Sequence, residues 1–220
     1  MCQAVELFEA INTRRSIRAF TDKPVDPRIV EEILEAATKA PSALNLQPWE
    51  FLVVVDEERE RLSRRLLKAY RERRIGCSPQ GSDKLPEKFA RRMKSTFEVM
   101  KAKIERAETD YESFINEGSL NFYGAPVAII ICMDNRLSKY HLLSIGSALA
   151  YLVLAAHAKG LGTCLIGLIH AYADEVKDAL NIPEEKEVVL GVALGYPDWN
   201  STVNAFKTPR DSVKEVARWI

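Results

Sequence analysis

At 220 residues the chain can bury one sizeable core, and a composition that is 47% hydrophobic and 28% charged excludes disordered, collagenous and coiled-rod classes. Its 31 lysines and arginines balance 31 aspartates and glutamates, leaving no net positive field to hold a nucleic acid or an anionic membrane. Cys2, Cys77, Cys132 and Cys164 are scattered without Cys-x-x-Cys spacing, so free thiols in a reducing compartment are expected; the first residues show no charged leader ahead of an apolar stretch, and the expected location is the cytoplasm.

Ala4, Val5, Leu7, Phe8 and Ile11 fall at helical spacing and predict a first amphipathic helix. It delivers the chain into Arg14-Arg15-Ser16-Ile17-Arg18-Ala19-Phe20, where three guanidinium groups and a hydroxyl crowd five positions. Arginine forks match phosphate oxygens two at a time, so this density points to an anionic ligand. Asp26-Pro27 starts a second helix, with aspartate as cap and proline at the first helical position, and Ile29, Val30, Ile33, Leu34 and Ala37 line its buried face. That helix is predicted to end near Ala40, ahead of Pro41. Ala40-Pro41-Ser42-Ala43-Leu44-Asn45-Leu46-Gln47-Pro48-Trp49 follows as a loop of prolines and small polar residues.

Phe51 to Val55 is uniformly apolar and predicts a strand covered on both faces, after which Asp56-Glu57-Glu58 caps a helix that buries Leu62, Leu66 and Tyr70. Eight basic residues crowd positions 59 to 74, which with a neutral total reads as a solvated face. Gly76 to Leu85 is loop-like. Phe89, Met93, Phe97, Met100, Ile104, Ala107, Tyr111 and Phe114 alternate in steps of four and three, predicting one long amphipathic helix that covers a cleft or a partner. Val127 to Met133 is a second buried strand, and Leu142 to Ala156 a central buried helix, too short and interrupted to span a bilayer. A third strand follows Gly160-Leu161-Gly162, Asp174 to Leu180 forms a small helix, Val188 to Leu194 a fourth strand, and the chain closes on a helix ending at Trp219 and Ile220. His141, His157 and His170 lack the paired spacing of a zinc site, and no metal is expected.

With Arg14-Arg15-Ser16-Ile17-Arg18 and Pro41-Ser42-Ala43-Leu44-Asn45-Leu46-Gln47-Pro48-Trp49 together, the chain resembles the FMN-dependent nitroreductase family from about Val5 to its C-terminus. The resemblance implies an α/β (α+β) fold: a mixed, mainly antiparallel sheet flanked by helices, with the long central helix buried and the long amphipathic helix as lid or interface. Residues 1–220 then form one FMN-binding domain, with 76–120 as a lid or dimer-interface excursion. It also implies a homodimer with FMN at the subunit interface, NADH or NADPH as reductant, and a small-molecule electron acceptor such as a nitroaromatic or quinone. Turnover would be ping-pong, with hydride passing through flavin N5. A reductive dehalogenase, a flavin-fragmenting enzyme and a non-catalytic flavin-binding protein are the alternatives.

By the same resemblance Arg14, Ser16 and Arg210 grip the ribityl phosphate with Lys207 beside them, and Arg18 lies near flavin N1 and the C2 carbonyl, where charge collects on reduction. The backbone N–H near Gly167 faces N5, and Pro41, Ser42 and Asn45 reach the flavin of the other subunit. Asn121 and Asn116 are both candidates for the pyrimidine edge, and Arg15, Gln47 and Ile166 complete the expected cofactor contacts. Ala150-Tyr151 stands where many relatives carry Gln-Asn, and no catalytic acid, base or nucleophile is expected from the protein.

Overall fold

The computed structural model describes residues 6–77, 85–107 and 110–220. Cys2 and most of the predicted 76–85 loop lie outside these residues.

The sheet is built around β2 (Val127–Asp134), whose first seven residues are all buried. An unbroken apolar run suits a strand with both faces covered, because alternate side chains then enter two separate cores. Val127, Ile129, Ile131 and Met133 point toward α2 (Pro27–Thr38) and α6 (Leu142–Ala158). Ala128, Ile130 and Cys132 point the other way, toward α3 (Asp56–Arg73), α5 (Tyr111–Leu120) and α7 (Ala173–Leu180). Each fully buried isoleucine contributes roughly 1.5–3 kcal/mol of transfer free energy, which makes β2 the centre of both cores. β1 (Glu50–Val55), β3 (Gly162–Ile166) and β4 (Lys186–Gly195) complete the order β1-β2-β4-β3, every neighbouring pair antiparallel. The expected mixed sheet is thus antiparallel in its four strands, and its parallel element is an isolated bridge from Ser16 to Thr163.

Local signals set the second helix as expected: Asp26 accepts the backbone N–H of Arg28 at 2.9 Å, and Pro27 occupies the first helical position. Elsewhere the structure corrects the reading. β1 is an edge strand with Val53 and Val55 exposed, because among the described residues no strand pairs with its outer side. The acidic residues opening α3 lie in its first turn but make no side-chain capping bond. The predicted single helix from 89 to 114 is two, α4 (Glu87–Glu105) and α5, since Asp110 caps a fresh start by accepting the N–H of Ser113 at 2.8 Å. Apolar periodicity ran through that break because both helices bury the same side.

The central helix, expected to be buried, is exposed on one face, and two other apolar segments are exposed as well. α1 (Leu7–Thr13) buries Ala10 but exposes Leu7 by 61% and Phe8 by 78%. α6 is buried on one face alone and leaves Leu143 66% and Tyr151 45% exposed. By length and composition Lys139–Ala158 is apolar enough to cross a membrane, contrary to the expectation that it is too short; in this fold its other face is packed on the sheet. The expected C-terminal helix is a single turn, α8 (Val213–Val216), beyond which Ala217 is extended and Trp219 and Ile220 are exposed.

Candidate functional site

The arginine stretch leaves α1 as an extended strand and is pinned at once to the sheet. Ile17 N–H donates to the Thr163 carbonyl at 2.9 Å, and Ile17 itself is buried. The approach is close: a Cβ on Gly162 would lie 2.5 Å from Cγ1 of Ile17, so only glycine lets the segment seat on β3. Alternate side chains then leave Arg14, Ser16 and Arg18 on one side.

These residues meet the C-terminal segment across a cavity of about 530 Å³. Arg14, Arg15, Ser16, Arg18, Lys207 and Arg210 line it on the polar side, and Ile11, Ala150, Val153, Leu154 and Phe206 on the apolar side. A contiguous cavity under α6 is lined by Arg14, Ser16, Gly146, Leu149, Thr163 and Leu165. The first cavity thus offers a cluster of cations, and the second a dry wall suited to a flat apolar ring.

None of the ion pairs formed by the described residues involves these five basic side chains. Burial, and then the charge of Arg210, pulls the Arg14 guanidinium below its ordinary value. Converging cations with no carboxylate between them repel one another, and a bound anion relieves that repulsion. His157 reports the same field: burial first, then Arg14 and Arg15, hold it below the usual imidazole range. The Thr13 hydroxyl donates to the Glu9 carbonyl at 2.7 Å, so at its 2.8 Å contact with His157 Nε2 it accepts from a neutral ring.

Arg18 is held differently. Its Cζ lies 5.4 Å from the ring centre of Phe206 and 5.9 Å from that of Tyr123, within cation–π range of both. Its Nε is buried without a hydrogen-bond partner, as is that of Arg15. Burial opposes the Arg18 charge, Cys164 and Tyr123 act the other way, and the guanidinium stays cationic. Tyr123 sits there because Phe122, Tyr123 and Gly124 all have positive φ, 51°, 53° and 72°. Two non-glycine residues in that region cost on the order of 1–3 kcal/mol each, and the turn they make brings the phenol to the Ser119 hydroxyl at 3.1 Å. Burial pushes the Tyr123 phenol up to about 12.

The predicted residues do not all assemble. Arg15 lines the cavity but also donates to the Asn204 carbonyl at 3.3 Å and stacks 5.4 Å from Trp199. Arg210 folds back on the Thr208 hydroxyl at 2.6 Å, with its charge unpaired. Ile166 is buried at the end of β3, and Gly167 follows it on the surface, where an added Cβ would meet nothing within 4 Å. Pro41, Ser42, Asn45 and Gln47 do not line the arginine cavity of their own chain. Their loop turns at the start of α6, where Ala43 N–H donates to Ser144 Oγ at 3.2 Å and Ser42 Oγ accepts from Gln47 N–H at 3.1 Å. Asn121 lies on the α3 side, where its Oδ1 accepts from Arg59 at 3.2 Å. Asn116 is likewise engaged, accepting from Cys77 N–H at 2.7 Å and donating to the Tyr70 hydroxyl at 3.2 Å.

Sequence reasoning missed Tyr123, Phe206 and above all Asn204, which reads as an ordinary turn residue because nothing local names its distant partners. It also missed the ion pair of Arg92 with Asp211, which ties α4 to the residue next to Arg210.

Comparison with known proteins agrees with this geometry. Residues 11–196 match the model of the nitroreductase family. A 4-nitrobenzoate reductase of Pseudomonas putida is 32% identical over 207 residues, covering 93% of this chain and 91% of the relative. The chloronitrobenzene nitroreductase of Comamonas testosteroni is 32% identical over 218 residues, 96% of each chain. Among solved structures, the FMN-dependent nitroreductase NfnB from Mycobacterium smegmatis in complex with NADPH superposes with a TM-score of 0.87 at 30% identity, covering 96% of both chains. On the full-length match, the shared fold and the identity to these relatives, the chain belongs to the nitroreductase family.

Proposed function

We propose that this protein is a cytoplasmic, FMN-dependent oxidoreductase that uses NADH or NADPH to reduce nitroaromatics, quinones or similar electrophiles. The observation that carries the reading is the convergence of Arg14, Lys207 and Arg210, from opposite ends of the chain, on one cavity without a carboxylate. The ribityl phosphate of FMN is the dianion that such a cluster fits, and the apolar wall of Leu149, Ala150 and Val153 fits the ring. When bound, FMN supplies the two-electron chemistry at its N5.

The protein's own residues then bind and orient. Arg14, Ser16, Lys207 and Arg210 hold the phosphate by charge-assisted bonds, with Arg15 behind them. Arg18, buried and cationic, would lie toward the pyrimidine end of the ring and favour the reduced state, and the Gly167 backbone, open above its Cα, would allow the close approach of a flat group. No acid, base or nucleophile of the chain is assigned to the reaction.

The reading includes a homodimer of single-domain chains, in which Pro41, Ser42, Asn45 and Gln47 of one protomer complete the flavin site of the other. What supports it is exposed apolar surface: α1 packs beside α6, both helices contribute to the cavity lining, and Leu7, Phe8, Leu143 and Tyr151 on them are exposed, while among the described residues β1 is an edge strand and Trp219 and Ile220 are exposed. The 76–120 excursion serves as lid or interface. Relatives described as 4-nitrobenzoate and chloronitrobenzene reductases support the acceptor class.

An anaerobic titration tests the whole. Yellow protein that bleaches with NADH or NADPH and recovers on adding a nitroaromatic is the expected result. Protein that binds FMN but bleaches only with dithionite would exclude nucleotide-driven turnover.

A further inference from the structure

We infer that Asn204 is the positioning residue that sets the Arg18 guanidinium against the flavin; this rests on the FMN reading above. Asn204 is 1% exposed and lies three residues before Lys207, yet its side chain serves the other end of the chain. Its Oδ1 accepts the backbone N–H of Arg18 at 2.8 Å. Its Nδ2 donates to the carbonyls of Ala19 and Asp198, both at 2.8 Å. Only this orientation of the amide satisfies an N–H on one side and two carbonyls on the other.

The consequence is geometric. The arginine segment and the 196–206 loop run side by side, joined by Asp198 N–H to the Ala19 carbonyl at 3.0 Å and Thr21 N–H to the Tyr196 carbonyl at 2.9 Å. Those bonds fix the chains after Arg18; Asn204 is what fixes Arg18 itself. Two residues further on, the same loop places Phe206, one of the two rings between which the guanidinium lies. Backbone and side chain of Arg18 are therefore both referred to one buried amide. Nε is unpartnered, no ion pair among the described residues holds the guanidinium, and the polar groups that act on it are Cys164, Tyr123 and Tyr111.

Loss of the amide removes one acceptor and two donors in a buried site, leaving the Arg18 N–H and the Asp198 carbonyl without this partner, while the Ala19 carbonyl keeps the Asp198 N–H. Arg18 then samples other positions, and the preference of the site for reduced over oxidised flavin weakens. The change belongs in the midpoint potential, which a purely architectural role would leave alone.

The test is spectroelectrochemical titration of the FMN-loaded protein. Asn204→Ala is expected to lower the midpoint potential by about 30 mV, a tenfold loss of preference for a two-electron couple. Thr202→Val removes the bond from Thr202 Oγ1 to the Lys103 carbonyl in the same loop, without touching Arg18, and should leave the potential unchanged whatever its Tm. On an Arg18→Ala background, Asn204→Ala should add no further shift. Asn204→Ser, smaller in its disruption, carries the same expectations where the alanine variant does not fold. A loaded variant with the parental potential, or a shift that persists in full without Arg18, overturns the assignment. Parental protein that takes up no FMN would overturn the flavin reading instead.

Discussion

Arg14 and Arg210 line the same cavity, burial and then the charge of Arg210 holding the Arg14 guanidinium below its ordinary value, with no carboxylate among the described lining residues to separate them. That arrangement costs stability in the free protein and is relieved by a bound dianion, so the ligand's phosphate and not its ring should carry the dependence. Arg14→Ala and Arg210→Ala are each expected to weaken FMN binding by tenfold or more, from about 1.5–3 kcal/mol for a hydrogen bond to a charged group. Riboflavin, which lacks the phosphate, should bind both variants as it binds the parent. Fluorescence titration of the two flavins checks this, and equal losses for both would show that the arginines support the fold rather than the phosphate.

Two glycines of the site should answer differently to the same substitution. Gly162→Ala drives a methyl group to 2.5 Å from the Ile17 side chain, which is buried and cannot yield without lifting the arginine segment from β3. Overpacking of this kind costs about 1–3 kcal/mol, so Tm should fall and FMN affinity with it. Gly167→Ala meets nothing within 4 Å among the described residues and should leave Tm unchanged; on the reading that its backbone adjoins the flavin, the added methyl should reduce FMN affinity. Thermal melts with and without FMN separate the cases.

How far such features could be read from sequence depended on whether the signal was local. β2 and the Asp26-Pro27 helix start were legible, since a continuous apolar run and a cap followed by proline act within a few residues. The arginine segment and the Pro41–Trp49 loop were legible as motifs. What failed was the assignment of burial: Leu7, Phe8, Leu143 and Tyr151 have the periodicity of a core face, but periodicity does not say which chain does the covering. The break between α4 and α5 was hidden because Asp110 is an ordinary cap residue inside an apolar repeat that never falters. Asn204 was invisible for the opposite reason, its partners Arg18 and Ala19 lying almost the full length of the chain away.

Arg92 and Asp211 couple the excursion to the phosphate site, and the coupling has a pH sign. The Arg92 hydrogen bond holds the Asp211 carboxyl below the usual carboxylate value. A carboxylate depressed in the folded state contributes stability that is present above its unfolded pKa, about 4, and is lost as pH falls through the lower folded value. Attachment of α4 to the C-terminal segment should therefore loosen only in acid. Hydrogen exchange of α4 amides is expected to rise below about pH 4 in the parent and to be raised already at neutral pH in Arg92→Ala and Asp211→Asn. FMN affinity should fall a few-fold in both variants, with riboflavin unaffected, since Asp211 adjoins Arg210. Unchanged exchange in both variants would mean that α4 is held by its other contacts, the apolar packing of Met100 and Ile104 on Val203 and Phe206 and the hydrogen bonds of Lys88 to the Glu215 carbonyl and of Thr202 to the Lys103 carbonyl.

The exposed face of α6 gives the sharpest test of assembly. Leu143 is 66% exposed in the single chain, so a charge there costs the monomer little, whereas burying it against a second copy would strand an ion in an apolar contact. Leu143→Glu is expected to sediment as a monomer with the parental Tm in dilute solution, and to lose FMN together with the partner, because Pro41, Ser42 and Asn45 can no longer reach the flavin site of a second protomer. Glu9→Lys, on the same helix as Leu7 and Phe8 but in a turn that already carries charge, serves as the control and should remain dimeric. If Leu143→Glu stays dimeric and yellow, the α6 face is free surface and the apolar residues of α1 must be covered by something else. If it becomes monomeric yet keeps FMN at parental affinity, one chain is sufficient for the site, and the loop from Pro41 to Gln47 has no part in holding the cofactor.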